Sequence, residues 1–242
     1  DLHSLWCNTP ALEQAGAAEH PTGFLVEEEA FAGIRRIMSR YLDLVEHAVQ
    51  AAELEAASRG LVGIVDFSSG WAVEAWQRRA ASRSIGLRVE AATYPERLDD
   101  LIAMGAGTGD KLAENLRVGP LKIIADGSMG SRTAHCIAPY PNPLPGYPNG
   151  KPNYTRSELL ALLGRAREAR LRAAVHSIGD AACHDVLEAF EISGTRGSVE
   201  HVQCVAPADL PRFARLKLVA SIQPAHQLED VGGVDQVWPD AK

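Results

Sequence analysis

From residue 61 onward the chain repeats one unit. A short run rich in branched apolar residues is followed by a turn, then by a stretch of helical periodicity. The strand runs fall at 61–67, 87–94, 120–126, 171–177, 198–203 and 218–223. Parallel strands cannot be joined by tight hairpins, and an intervening helix supplies the crossover. The spacing and apolar character therefore predict an α/β fold with a parallel sheet and crossover helices. An open doubly wound sheet fits six strands, whereas a closed (β/α)8 barrel needs eight. No glycine-rich dinucleotide fingerprint follows any strand, which counts against a nucleotide-binding open sheet.

The run 118–134 organises the rest. Its strand alternates Leu121, Ile123 and Ala125 with Lys122, Ile124 and Asp126, and alternate side chains lie on opposite faces. A lysine among apolar neighbours is costly unless something uses it. Gly127 and Gly130, each followed by serine, turn the chain at the strand's C-terminal end. In parallel α/β proteins that end is where sites are built.

Two later strands carry histidines. Ala174 and His176 share a face of one, and Val199, His201 and Gln203 share a face of the next. In a closed sheet these converge on one mouth with Lys122. Paired imidazoles suit a divalent ion, zinc above all. A lysine ammonium binds no metal; the neutral amine or a carbamate formed with carbon dioxide does. One histidine at a strand end is more often hydrogen-bonded packing than a ligand. Lys122 also fits a snorkelling lysine. Composition and spacing alone thus leave an α/β protein with either a metal site or a packed polar cluster.

The remaining segments predict a short helix at 11–15, a turn at 20–23 and one long helix over 27–58. A short helix is expected at 111–117. The loop 127–155 holds six prolines, and a loop this long is usually functional. Thr155 to Glu158 reads as a capping box. The tail 224–242 reads as loop.

Charge and cysteine usage narrow the partners. The net charge is −7, from 24 basic and 31 acidic residues, which excludes a basic nucleic-acid surface. No apolar run approaches the roughly 20 residues needed to span a bilayer. Cys7, Cys136, Cys183 and Cys204 are scattered without a C-x-x-C pair. They read as free thiols in a reducing compartment, placing the protein in the cytoplasm.

Four stretches carry a more specific signal: residues 1–12 (DLHSLWCNTPAL); the run PLKIIADGSMGSRT from Pro120; VHSIGD from Val175; and VEHVQ from Val199 with ASIQPAH ending at His226. In this order they resemble the amidohydrolase superfamily, in particular its family 3, which includes N-substituted formamide deformylase. The resemblance implies a (β/α)8 TIM-type barrel, here incomplete, with strands 2–7 of eight. It implies a single partial catalytic domain over 1–242: an N-terminal insertion and long helix to residue 60, strand–helix units over 61–223, then the tail. One or two divalent ions, zinc foremost, would be held by Lys122, His176 and His201. Lys122 would be the strand-4 lysine, often carbamylated in this superfamily. Asp126, Ser128, Arg132 and His226 would line the substrate side, and Asp180 would support a ligand.

The chain departs from the family pattern in having no His-x-His and no strand-8 aspartate after Gln223. It therefore reads as an interior portion of a longer metal-dependent hydrolase acting on non-peptide carbon–nitrogen bonds through metal-activated water. Alone it is expected to bind metal weakly and to lack turnover. The alternative is a catalytically inactive amidohydrolase-like protein with a binding or regulatory role. The expected partner is a small amide-type substrate, with no nucleic acid and no membrane. Unpaired sheet edges predict a homo-oligomer.

Overall fold

The computed structural model describes residues 3–238. They form two compact units, one up to Pro120 and one from Leu121. The first begins with β1 (Ser4–Trp6), α1 (Thr9–Ala15) and β2 (Phe24–Val26), and β1 pairs antiparallel with β2. Strands this short carry almost no period-two signal, so neither is expected from the sequence. α1 is defined by its ends: Asn8 accepts from the Ala11 N–H at 3.1 Å, and Gly16 closes it at φ 79°. That is the left-handed cap glycine favours. Leu12, Leu25 and Ala30 form a small core beneath.

The single helix expected over 27–58 is two: α2 (Glu28–Met38) and α3 (Leu42–Ser58). At the break, Ser39 donates its hydroxyl to the Arg36 carbonyl at 2.8 Å, competing with the helical ladder. β3 (Gly63–Asp66) and β4 (Arg88–Thr93) follow close to their predicted bounds, each succeeded by a crossover helix, α4 (Ala72–Ser82) and α5 (Leu98–Ala103). The helix expected at 111–117 is instead a hairpin, β5 (Lys111–Ala113) returning antiparallel along β6 (Leu116–Ile124). Asn115 makes the turn at φ 59°, a backbone state asparagine tolerates. Val73, Trp76, Val89, Ala91 and Leu116 centre the core of this unit. On β6, a Cβ on Gly119 would lie 2.7 Å from the Ala91 carbonyl carbon, so β4 and β6 approach this closely only with glycine there.

Helix α3 is tied to α4 and to the residue that caps it by two carboxylate–guanidinium forks. Glu46 accepts from Arg79 at 2.7 and 2.7 Å. Glu53 accepts from Arg83 at 2.6 and 3.0 Å and from the Gly86 N–H at 3.3 Å. Arg83 holds the Glu53 carboxyl below its usual 4.5, burial pushing up and the Gly86 N–H helping to hold it down. A carboxylate depressed in the folded state adds stability above its unfolded pKa and loses it as pH falls through the folded one. Glu53→Gln is expected to cost about 1–3 kcal/mol near neutrality. In urea titrations the gap from the parent should close as the pH drops below 4.5; a gap that persists there would argue against the fork.

The second unit continues from β6 through α6 (Arg156–Glu168), β7 (Ala173–Ser177), α7 (Asp180–Ser193), β8 (Gly197–His201), α8 (Leu210–Leu216), β9 (Val219–Ser221) and α9 (Pro224–Val237). The capping box is present: Thr155 and Glu158 bond reciprocally at the start of α6. The tail read as loop is a helix from Pro224, whose fixed φ suits a first turn; Gly232 and Gly233 lie inside it. Residues 239–242 of that tail lie outside the described residues.

The strand order is β3-β4-β6 in the first unit and β6-β7-β8-β9 in the second, β6 running through both. Pairs β3–β4, β6–β7, β7–β8 and β8–β9 are parallel. Sequential parallel strands with helical crossovers make this an α/β fold of the incomplete (β/α)8 type, with six barrel-type strands, β3, β4 and β6 to β9, among the described residues. Among the described residues no helix is long and apolar enough to cross a membrane.

Candidate metal centre

Lys122 and the histidines at 176, 201 and 226 all belong to the second unit. Register decides which side chains share a face. Lys122 pairs with Ala174 and Ala174 with Ser198; Ile124 pairs with His176 and His176 with Glu200. Cross-strand partners in a sheet lie on the same side. Lys122, His176 and Glu200 therefore share one face. His201 pairs with Ser177 and by alternation falls on the other.

The backbone reverses that assignment. His201 sits at φ 73° and Val202 at φ 50°, left-handed values that cost non-glycine residues energy and gather at functional sites. The twist at the end of β8 brings the His201 ring edge-on to His176, with centroids 4.7 Å apart. His226, in the first turn of α9, stacks on His201 at 5.8 Å with planes 9° apart.

The cluster is electrostatically coupled. Lys122 is 5% exposed. Burial pushes its ammonium down to about 8, and the neighbouring Glu200 carboxylate pulls the other way. Burial also lowers His201, with the Gln223 hydrogen bond opposing and the positive charge of Lys122 adding to the shift. Glu200 is buried and accepts a short hydrogen bond from the Ser198 hydroxyl.

His176 and His201 each face an oxygen at one ring nitrogen. His176 Nε2 lies 2.9 Å from the Gly127 carbonyl oxygen and 3.5 Å from Asp126 Oδ1. A carbonyl only accepts, so this contact places the proton on Nε2 and a lone pair on Nδ1. His201 Nδ1 lies 2.6 Å from Gln223 Oε1.

The remaining sequence candidates are distributed differently. Asp126 is fully buried; its oxygens accept from the backbone N–H groups of Ile178, Gly179 and His135 at 3.0, 2.8 and 2.9 Å. Ser128 is buried in a hydroxyl chain with Ser131 and Thr133, at 2.8 and 2.6 Å. Arg132 is exposed at φ 57° and donates to the Asn142 carbonyl at 2.8 Å. Asp180 accepts from the Ile137 and Ala181 N–H groups at 2.8 and 3.0 Å, a loop anchor. Of the expected substrate-side residues, His226 stacks on His201 and Asp126 reaches His176. Sequence reasoning missed Glu200 and Gln223. Glu200 was discoverable, since a register of β7 on β8 aligns it with His176; nothing local marks Gln223.

The donor chemistry suits a metal in part. Two imidazoles, His176 buried and His201 half-buried, have opposite nitrogens engaged beside a desolvated lysine, which matches nitrogen ligation. Among the described residues no group of three or more His, Cys, Asp and Glu side chains is placed to hold an ion. Lys122 is therefore the residue that would complete a third position.

Fold and cluster together define an α/β barrel-type protein with its polar site at the strand ends. The sequence matches the Amidohydrolase family over residues 1–241; the chain belongs to that family. It is 27% identical over 248 residues to "Putative amidohydrolase YtcJ" of Bacillus subtilis (strain 168), covering 92% of this chain and 46% of YtcJ. It is 32% identical over 139 residues to Protein LONG AFTER FAR-RED 3 of Arabidopsis thaliana, covering 52% of this chain and 22% of that protein. Among solved structures, an uncharacterized metal-dependent hydrolase from Pyrococcus horikoshii OT3 superposes with a TM-score of 0.83 at 27% identity, over 99% of this chain and 50% of its own. A second, from Pyrococcus furiosus, gives 0.78 at 25%, over 97% and 51%. The chain thus spans half or less of the length of YtcJ, LONG AFTER FAR-RED 3 and the first of these structures.

Proposed function

We propose that this chain carries part of the centre of a metal-dependent hydrolase acting on non-peptide carbon–nitrogen bonds. The observation that carries the reading is the approach of His176 and His201 to 4.7 Å beside buried Lys122. Nδ1 of His176, Nε2 of His201 and Lys122 as neutral amine or carbamate would hold a divalent ion, zinc foremost. Bound there, such an ion lowers the pKa of water and polarises a carbonyl. The chain's own residues do the rest. The Gly127 carbonyl fixes the His176 ring, and His226 flanks the cluster by stacking on His201. Relatives that are metal-dependent hydrolases support the reading, and the narrower likeness to formamide deformylases suggests the substrate class.

The set stops at three donors, because the chain has no His-x-His. Metal binding is therefore expected to be weak and turnover by this chain low. Equilibrium dialysis against zinc, followed by elemental analysis, should recover chelator-removable metal. Assays on N-substituted formamides should show little or no product. Absence of zinc binding would overturn the proposal. It would favour the second reading, a non-catalytic binding protein, which the lack of a three-residue His, Cys, Asp and Glu group among the described residues supports.

A further inference from the structure

Gln223 stands just before α9, where the β9 connection ends. Its amide is fixed from both ends. Nε2 donates to the Ser221 carbonyl at 3.2 Å, and this orients Oε1 toward His201 Nδ1 at 2.6 Å. An amide oxygen only accepts, so the ring nitrogen it meets carries the proton. Three residues on, His226 donates its backbone N–H to the Gln223 carbonyl at 3.1 Å and stacks its ring on His201. One turn thus grips one imidazole by edge and by face. The gripped residue is also the one whose backbone is held at φ 73°. A ring in a strained backbone state needs outside contacts to fix its orientation.

We infer that Gln223 is a positioning residue: it holds His201 as the Nδ1–H tautomer, so that the lone pair on Nε2 is kept for the ligand of the site. His176 is held the opposite way, as Nε2–H on the Gly127 carbonyl, so the two rings present unlike nitrogens. The role of the lone pair rests on the metal-site reading above; the tautomer does not. Gln223 touches no reacting group and acts only through His201.

The test is nitrogen–proton NMR of the imidazole rings in the metal-free chain, at about pH 8, where an ordinary imidazole is neutral. Zinc affinity is measured alongside by chelator competition. In the parent, His201 should show its proton on Nδ1. Gln223→Leu, which removes the acceptor, should move that proton to Nε2 and weaken zinc binding about 10–100-fold. Gln223→Glu keeps an acceptor at the same reach and should restore both. A proton that stays on Nδ1 in Gln223→Leu overturns the inference, as does a Gln223→Glu chain as impaired as the leucine variant. If the tautomer follows residue 223 while the parent binds no zinc, the positioning role stands and the metal reading falls.

Discussion

Replacing His201 with glycine is expected to abolish zinc retention, with affinity falling at least about 100-fold, while harming the fold less than replacement with alanine. The order is unusual, because glycine normally weakens a strand. At this position the backbone sits at φ 73°, which glycine adopts without the penalty that a Cβ brings. His201→Gly should therefore be about 1 kcal/mol more stable to urea than His201→Ala, although both lack the imidazole. A glycine variant less stable than the alanine variant would show that the left-handed turn at the end of β8 is not strained. A variant that still retains zinc would remove His201 from the ligand set.

Asp126→Ala is expected to be the most damaging substitution to stability in the second unit, costing roughly 3–6 kcal/mol. The carboxylate is wholly buried, and it supplies the acceptors for three backbone N–H groups, those of Ile178, Gly179 and His135. Removing it leaves those donors unpaired in a dry interior, and each such group costs on the order of 1–3 kcal/mol. Losses of that size consume much of a domain's marginal stability. Asp126→Asn should fall between parent and alanine, since one amide end repels the N–H groups it faces. Urea midpoints for the three chains test the order; an alanine variant within about 1 kcal/mol of the parent, the low end for one unpaired group, would rule out this anchoring role.

Asp126 also shows how a residue expected on the substrate side can anchor the scaffold as well, since it lies 3.5 Å from His176 while accepting from three backbone N–H groups. A run such as Ala-Asp-Gly-Ser after a strand marks a polar turn at the site end. It does not say whether the carboxylate meets a ligand or the returning chain. In the folded chain the loop 127–155 turns back so that the His135 N–H and the β7–α7 turn reach Asp126 first. Arg132 is similar: its guanidinium goes to the Asn142 carbonyl in the same loop.

The sequence by itself determined the six strand runs, their parallel pairing through helices, and the capping box at Thr155. These follow from local periodicity and from the rule that parallel strands need crossovers. It also marked Lys122, His176 and His201, because a lysine and histidines stand out in apolar strands, and it expected them to meet at one mouth of a closed sheet. Only the tertiary structure decided how His201 meets His176. Strict alternation puts them on opposite faces, and the reversal depends on two left-handed residues whose strain is offset by contacts from Gln223 and His226, more than twenty residues away. Short hairpins at 4–26 and 111–117 likewise escaped the sequence, because strands of three residues are held by pairing with distant segments rather than by any pattern of their own.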